Sequence, residues 1–170
     1  NDFFYHPGLK FQFPVPREWR TANSPQQFQM ADKDGKAMMV LMAGGGTSQE
    51  TITAFNEQQK LQVVSQTNER VNGYPALVQL AEQKNEQSGA VIKIQSTVIQ
   101  YGDLAYAIHG VAAAADFPTY QRTFEYTMTN FNELRDPSKI NRVADEIKVE
   151  EVRRAGTLAQ VLRYYNMPND

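Results

Sequence analysis

The run Ala37-Met38-Met39-Val40-Leu41-Met42-Ala43 limits what this chain can fold into more than any other stretch. It is apolar without alternation, and Asp34-Gly35, a strong two-residue hairpin signal, stands just before it. A bilayer span needs roughly 20 such residues, so this run is too short to cross a membrane. Successive side chains of a strand point to opposite faces of a sheet. A strand apolar at every position is therefore a central one, covered on both sides. One dry face does not satisfy it; the sheet needs two covering layers.

The flanking sequence supplies further strands. Phe28 and Met30 alternate with Gln27 and Gln29 ahead of the Asp34-Gly35 turn. Earlier, Phe11, Phe13 and Val15 alternate with Gln12 and Pro14, and Pro16-Arg17-Glu18 turns the chain before Trp19. Two prolines place that segment at a sheet edge or a strand ending. Downstream, Asn72-Gly73 leads into a strand over 76–83, and 85–89 is a polar loop. Ile92, Ile94 and Val98 then alternate with Lys93, Gln95 and Thr97, and Gly102-Asp103 turns into a last strand over 104–111.

Two helices supply the layers. Thr47-Ser48-Gln49-Glu50 has the capping-box pattern and predicts a helix over 48–62, with Ile52, Phe55 and Leu61 as a thin apolar face. The second is stronger. Asp116 stands at the N-cap, Pro118 falls in the first turn, and Phe117, Tyr120, Phe124, Met128 and Phe131 share one face of a 3.6-residue helix. Burying such side chains is worth about 1.5–3 kcal/mol each, so this helix must lie on the sheet. The expected class is α+β: an antiparallel sheet with helices packed on its faces.

A main domain over 1–132 accounts for these elements, within a chain of 170 residues. The stretch 133–146, with Asp136-Pro137-Ser138 and mixed charges, reads as a linker. Over 147–170 a short strand (Ile147, Val149, Val152) precedes Gly156 and a second capping-box pattern, then an apolar face of Leu158, Val161, Leu162 and Tyr165. This strand-helix extension reads as a module cut short. At the other end, Asn1-Asp2 without methionine or signal core leads us to expect a removed leader or a larger upstream portion.

The chemistry available is sparse. There are no cysteines, so thiol catalysis, thiolate metal sites and disulfides are excluded. A formal charge of −2, from 17 basic and 19 acidic side chains, gives no broad field for a nucleic-acid backbone. His109 sits inside an apolar strand and reads as a satisfied or half-exposed strand histidine rather than a catalytic base. His6, beside Pro7-Gly8, reads as a turn or surface residue. Neither has a partner at metal-ligand spacing. Gly44-Gly45-Gly46 before a helix has the outline of a phosphate cradle at Thr47 or Ser48, but no Lys-Ser/Thr follows it. Met38, Met39 and Met42 are read as core filler before a soft-metal or peptide groove. Tyr101, Tyr106, Tyr120, Tyr126, Tyr164 and Tyr165 lack the basic interleaving of a stacking surface. Glu50, Glu57, Glu69, Glu82, Glu86 and Glu125 form no recognisable acid/base pair. No catalytic, cofactor-binding or metal residue is assigned, and the partner-binding residues are not identified.

Four blocks carry a resemblance: 4–19 from Phe4-Tyr5-His6-Pro7-Gly8 to Pro16-Arg17-Glu18-Trp19, Asp34-Gly35-Lys36-Ala37-Met38-Met39, Asn72-Gly73-Tyr74-Pro75-Ala76, and 109–117 from His109-Gly110-Val111 to Asp116-Phe117. Together they resemble the non-catalytic C-terminal region of bacterial zinc metallopeptidases of the prenyl-protease and heat-shock-protease clan, a region with a PsbP-like fold. Asp136-Pro137-Ser138-Lys139-Ile140-Asn141 continues the likeness, and Gly156-Thr157-Leu158 is similar to the opening of a lysin-motif-like module. The resemblance implies a zinc-binding H-E-x-x-H domain upstream and an accessory role here, positioning substrate or partner proteins. It also implies the bacterial periplasm or cell envelope. No zinc ligand or catalytic glutamate carries over, because the motif is absent from these residues. A free-standing PsbP-like module that binds a protein or small ligand is the alternative. An enzyme built around His109 stays open, decided by whether His109 lines a pocket or the core. Metal analysis of tag-free protein should return no stoichiometric zinc; one tightly held zinc per chain would overturn that expectation.

Overall fold

The computed structural model describes residues 2–6, 9–24 and 27–136. In chain order the elements are β1 (Asp2–His6), β2 (Phe11–Val15), β3 (Arg20–Asn23), β4 (Gln27–Ala31), β5 (Ala37–Gly45), α1 (Ser48–Gln59), β6 (Gln62–Val71), β7 (Tyr74–Lys84), β8 (Val91–Tyr101), β9 (Leu104–Ala113), α2 (Phe117–Thr129) and β10 (Asn132–Glu133). Seven strands form one sheet in the order β3-β4-β5-β9-β8-β7-β6, and β1-β2-β10 form a small second sheet. All pairings are antiparallel. The α+β class expected from the pattern is the observed one.

The apolar run is β5, and its two faces feed separate layers. Met39 and Leu41 join Tyr106, Ile108, Phe117, Phe124 and Met128 under α2 and the small sheet. Met38 and Val40 join Ala107, Val111, Ile52 and Phe55 under α1. β9 runs beside β5 with Val40 opposite His109 and Met39 opposite Gly110. Gly110 marks the closest approach of the α2 layer. A Cβ built there would lie 2.5 Å from Phe124 Cγ, so the aromatic ring rests on bare backbone. Trp19 joins the same layer, edge-on to Tyr120 at 6.3 Å.

Several boundaries differ from the pattern. The first helix ends at Gln59 instead of reaching 62, because Lys60 turns left-handed (φ 56°) and its N–H closes onto Asn56 and Glu57. The chain then enters β6, which sequence reading left unassigned. Its residues from Gln62 to Arg70 are exposed on both faces, so no alternation marks it. Strands β1 and β3 were also unmarked. Asp116 occupies the N-cap of α2, but its backbone is helical and its side chain makes no cap bond. Phe131 falls beyond the helix end yet is fully buried with the stripe. The packed unit runs through Leu134, 1% exposed, whose N–H bonds to the Lys10 carbonyl, and so enters the stretch read as linker. The rest of the linker from 137, and the strand-helix reading of 147–170, lie outside the described residues.

Phe124→Ala should cost about 3–5 kcal/mol in denaturant unfolding, and Gly110→Ala about 1–3 kcal/mol by wedging the ring off the sheet. A loss below ~1 kcal/mol for Phe124→Ala would contradict a ring seated this way.

Candidate functional site

The small sheet ends unevenly, and a groove forms where it does. β10 pairs with β2 only at Gln12 and Phe11, so Pro14 and Val15 run on past it. A strand residue directs its N–H and C=O to the same side, and Pro14, opposite Phe3 of β1, turns that side toward the edge that β10 leaves open, so proline there forfeits no bond to β10. α2 takes over that edge: the Thr127 hydroxyl donates to the Pro14 carbonyl at 3.0 Å. The chain then turns at Pro16-Arg17-Glu18-Trp19, closed by Trp19 N–H to the Pro16 carbonyl at 3.2 Å. Glu18 adopts φ 65° there, a conformation costing a non-glycine residue roughly 1 kcal/mol.

Pro14, Val15, Pro16 and Arg17 form one wall of an open groove of about 720 Å³; Arg122, Thr123, Tyr126 and Thr127 form the other. On α2 the pairs Arg122/Tyr126 and Thr123/Thr127 stand one turn apart, as i and i+4 residues do. Tyr126 is 53% exposed. Both guanidiniums are exposed, and among the described residues neither has a carboxylate at ion-pair distance. The nearest acidic neighbours in sequence are engaged elsewhere. Glu18 pairs with Lys33 at 3.6 Å, and Glu125 accepts from Gln95 at 3.5 Å. Such a groove can hold a ligand by charge and by flat apolar contact. It brings together no nucleophile with a base: Thr127 is spent on Pro14, and neither histidine lines it.

The residues singled out in the sequence lie elsewhere. His109 is in the core, 1% exposed, stacked on Phe55 at 3.8 Å and bonded through Nδ1 to Ser96 Oγ at 2.6 Å. Burial lowers its pKa to about 3, so it is neutral in the folded protein. His6 caps its turn, with Nδ1 accepting from the Leu9 N–H at 3.0 Å, and burial lowers its pKa. The triglycine leads into a helix start that is already occupied. Thr47 Oγ1 accepts from Glu50 N–H, Glu50 Oε1 from Thr47 N–H, and Gln100 Oε1 from Ser48 N–H. The Glu50 carboxylate there opposes any anion.

Met38 and Met39 are buried in opposite layers and Met42 is half-buried. Tyr101 and Tyr106 pack with Phe11 and Phe131, and burial, then neighbouring Tyr74, pushes the Tyr101 phenol up to about 12. Burial and a bond to Asp32 at 2.9 Å do the same for Tyr120. Tyr164 and Tyr165 lie outside the described residues. Of the four described tyrosines in that set, Tyr126 reaches the groove and the other three do not line it. Sequence reading did not find the groove. The available signal was Arg122 and Tyr126 at helical spacing, off the buried stripe. Among the described residues no group of three metal-ligating side chains occurs, and no helix is long and apolar enough to cross a membrane.

No family model matches the chain, and neither does any curated protein. Solved structures do. The chain is similar to the solution structure of cyanobacterial PsbP (CyanoP) from Synechocystis sp. PCC 6803, with TM-score 0.60 and 10% identity over 78% of this chain and 91% of that one. The fold is PsbP-like. It is also similar to LpqN, involved in cell envelope biogenesis of Mycobacterium tuberculosis (TM-score 0.54, 12% identity, 79% of this chain and 90% of that one). The Saccharomyces cerevisiae Ran-binding protein Mog1p follows at TM-score 0.53 and 10% identity, covering 81% of this chain and 97% of that one. At such identities the likeness is one of fold.

Burial of His109 sets an acid dependence. Its folded pKa, about 3, lies below the ordinary 6.5, so the unfolded chain binds more protons between those values. The contribution is full above about pH 6.5 and is lost progressively as pH falls toward 3, on the order of several kcal/mol. Unfolding midpoints should fall over that window, and His109→Gln should flatten the slope. An unchanged slope in that variant would refute the assignment.

Proposed function

We propose that this chain is a non-catalytic accessory module that holds a protein partner, and that it serves a bacterial zinc metallopeptidase of the periplasm or cell envelope. The groove between β2 and α2 carries the reading: it offers unpaired charge and exposed aromatic surface without a reactive pair. The blocks behind the protease resemblance serve the fold. They form the end of β1, β2 and the Pro16–Trp19 turn, the entry to β5, the β6–β7 turn, and the stretch from Gly110 of β9, on which Phe124 rests, to the start of α2. LpqN, named for cell envelope biogenesis, supports the compartment at the level of fold likeness. Mog1p, named as Ran-binding, is a protein of this fold that engages another protein.

The second reading, a free-standing module, has its own support: the match spans 91% of the CyanoP chain and 97% of Mog1p, so in those chains the fold is nearly the whole. The coding sequence upstream of Asn1 separates the two, since the first requires an H-E-x-x-H domain there. Either way the groove should be the contact face. A photo-crosslinking residue at Thr123 should yield discrete protein adducts in the native cell, and the same residue at Gln58 on the exposed side of α1 should not. Absence of adducts at Thr123, or the same adducts from both positions, would overturn the partner-holding role.

A further inference from the structure

We infer that the β2–α2 groove selects an extended, acidic protein segment, with Arg17 and Arg122 receiving its carboxylates. The inference rests on the partner-holding reading and adds the chemistry of what is held.

The two guanidiniums come from opposite walls, one on the turn after β2 and one on α2. Each has an acidic residue close by in sequence that could have neutralised it, and each of those carboxylates is drawn off. Lys33 in the β4–β5 turn takes Glu18 away, and Gln95 on β8 takes Glu125 toward the sheet. Among the described residues, none that lines the groove is acidic. In a chain of net charge −2 this is a local cationic slot that the whole-chain charge conceals.

The remaining lining argues for a segment of chain over a small anion. Val15 and Pro16, both half-buried, offer apolar surface beside the buried Pro14, and Tyr126 stands exposed across from them. Such surfaces suit the methylenes and rings of an extended peptide. A phosphate cradle is built from convergent backbone N–H groups, often at a helix start. Here α2 begins at Phe117, more than a turn before Arg122, and Pro14 and Pro16 have no N–H to offer. Two charges flanking an apolar strip match carboxylates spaced along a chain, each free to take a guanidinium through paired N–H groups.

The test uses the whole chain and a fluorescein-labelled peptide in which glutamates alternate with apolar residues. Its control carries glutamine at each glutamate. Anisotropy should show saturable binding of the acidic peptide only, weakened by raising salt from about 50 to about 500 mM. The double variant Arg17→Gln/Arg122→Gln, both exposed positions, should bind about tenfold more weakly or worse. Amide resonances of Arg17, Thr123 and Tyr126 should shift on titration while Gln58 stays put. Inorganic phosphate and phosphatidylglycerol vesicles should not displace the peptide. Equal binding of the glutamine peptide, no binding of either, an unaffected double variant, or displacement by phosphate or vesicles would each overturn the inference. Adducts at Thr123 with a charge-insensitive groove would leave the partner-holding role standing and remove only this chemistry. Acidic-peptide binding without adducts would do the reverse.

Discussion

The contact on which the rest depends is the Phe124 ring lying on Gly110. Any side chain at 110 would collide with the ring, so glycine lets α2 sink onto the middle of β9, the central strand of the large sheet. Helix depth in turn decides what else can meet. At this depth Thr127, three residues on, reaches the Pro14 carbonyl, and Met128 and Phe131 close against Phe11 and Tyr106. α2 thereby adds to the direct ring contacts that fasten the small sheet to the large one, Phe11 with Tyr106 at 4.9 Å and Phe4 with Phe28 at 4.2 Å. Raise the helix by the thickness of a methyl group and the Thr127 bond, the seat of β2 and the shape of the groove change together.

The other face of the sheet is assembled differently. α1 contributes only Ile52 and Phe55 to the core, and polar bonds finish the attachment. Asn56 and Gln79 exchange two amide hydrogen bonds at 2.8 Å, Gln66 on β6 adds a third, and Gln83 donates to the Gln59 carbonyl. Ser96 and His109 form a further buried polar pair beneath the Phe55 ring. Buried polar groups of this kind stabilise modestly when satisfied and cost heavily when left alone, so they fix α1 in one position more than they tighten it. An aromatic layer gives depth on one side; an amide network gives register on the other.

Legibility followed burial. β5, β7, β8, β9 and the α2 stripe were readable because each has at least one face that must be dry, and dryness imposes a period. β6 was missed because nothing covers it, so Val63 and Val64 stand beside a polar run with no face to alternate against. β3 is short and mostly exposed, and its pairing with β4 makes it a strand, whereas β1 carries strand formers in Phe3-Phe4-Tyr5 but no polar alternation to mark a face. The histidines and triglycine were visible as chemistry-bearing residues, and the structure places each in a supporting bond. The groove was invisible for a related reason. Arg17 and Arg122 are far apart in sequence, and only the seating of α2 beside β2 makes them neighbours of one cavity.

Charge in this chain is sorted by those same contacts. Near Arg17 and Arg122 the local sequence is balanced, with Glu18 adjacent to one and Glu125 three residues from the other. On α2, pairing Arg122 with Glu125 would have been the cheaper arrangement for an isolated helix, since an i,i+3 charge pair stabilises it by a few tenths of a kcal/mol. Folding overrides it. The left-handed turn at Glu18 sends that carboxylate toward Lys33, and the rotation of α2 needed to bury Phe124 carries Glu125 toward Gln95. Burying Phe124 is worth several times what either surface ion pair could return. The Arg122 side of the cationic slot thus follows from the seating of Phe124 on Gly110, and the Arg17 side from the turn at Glu18.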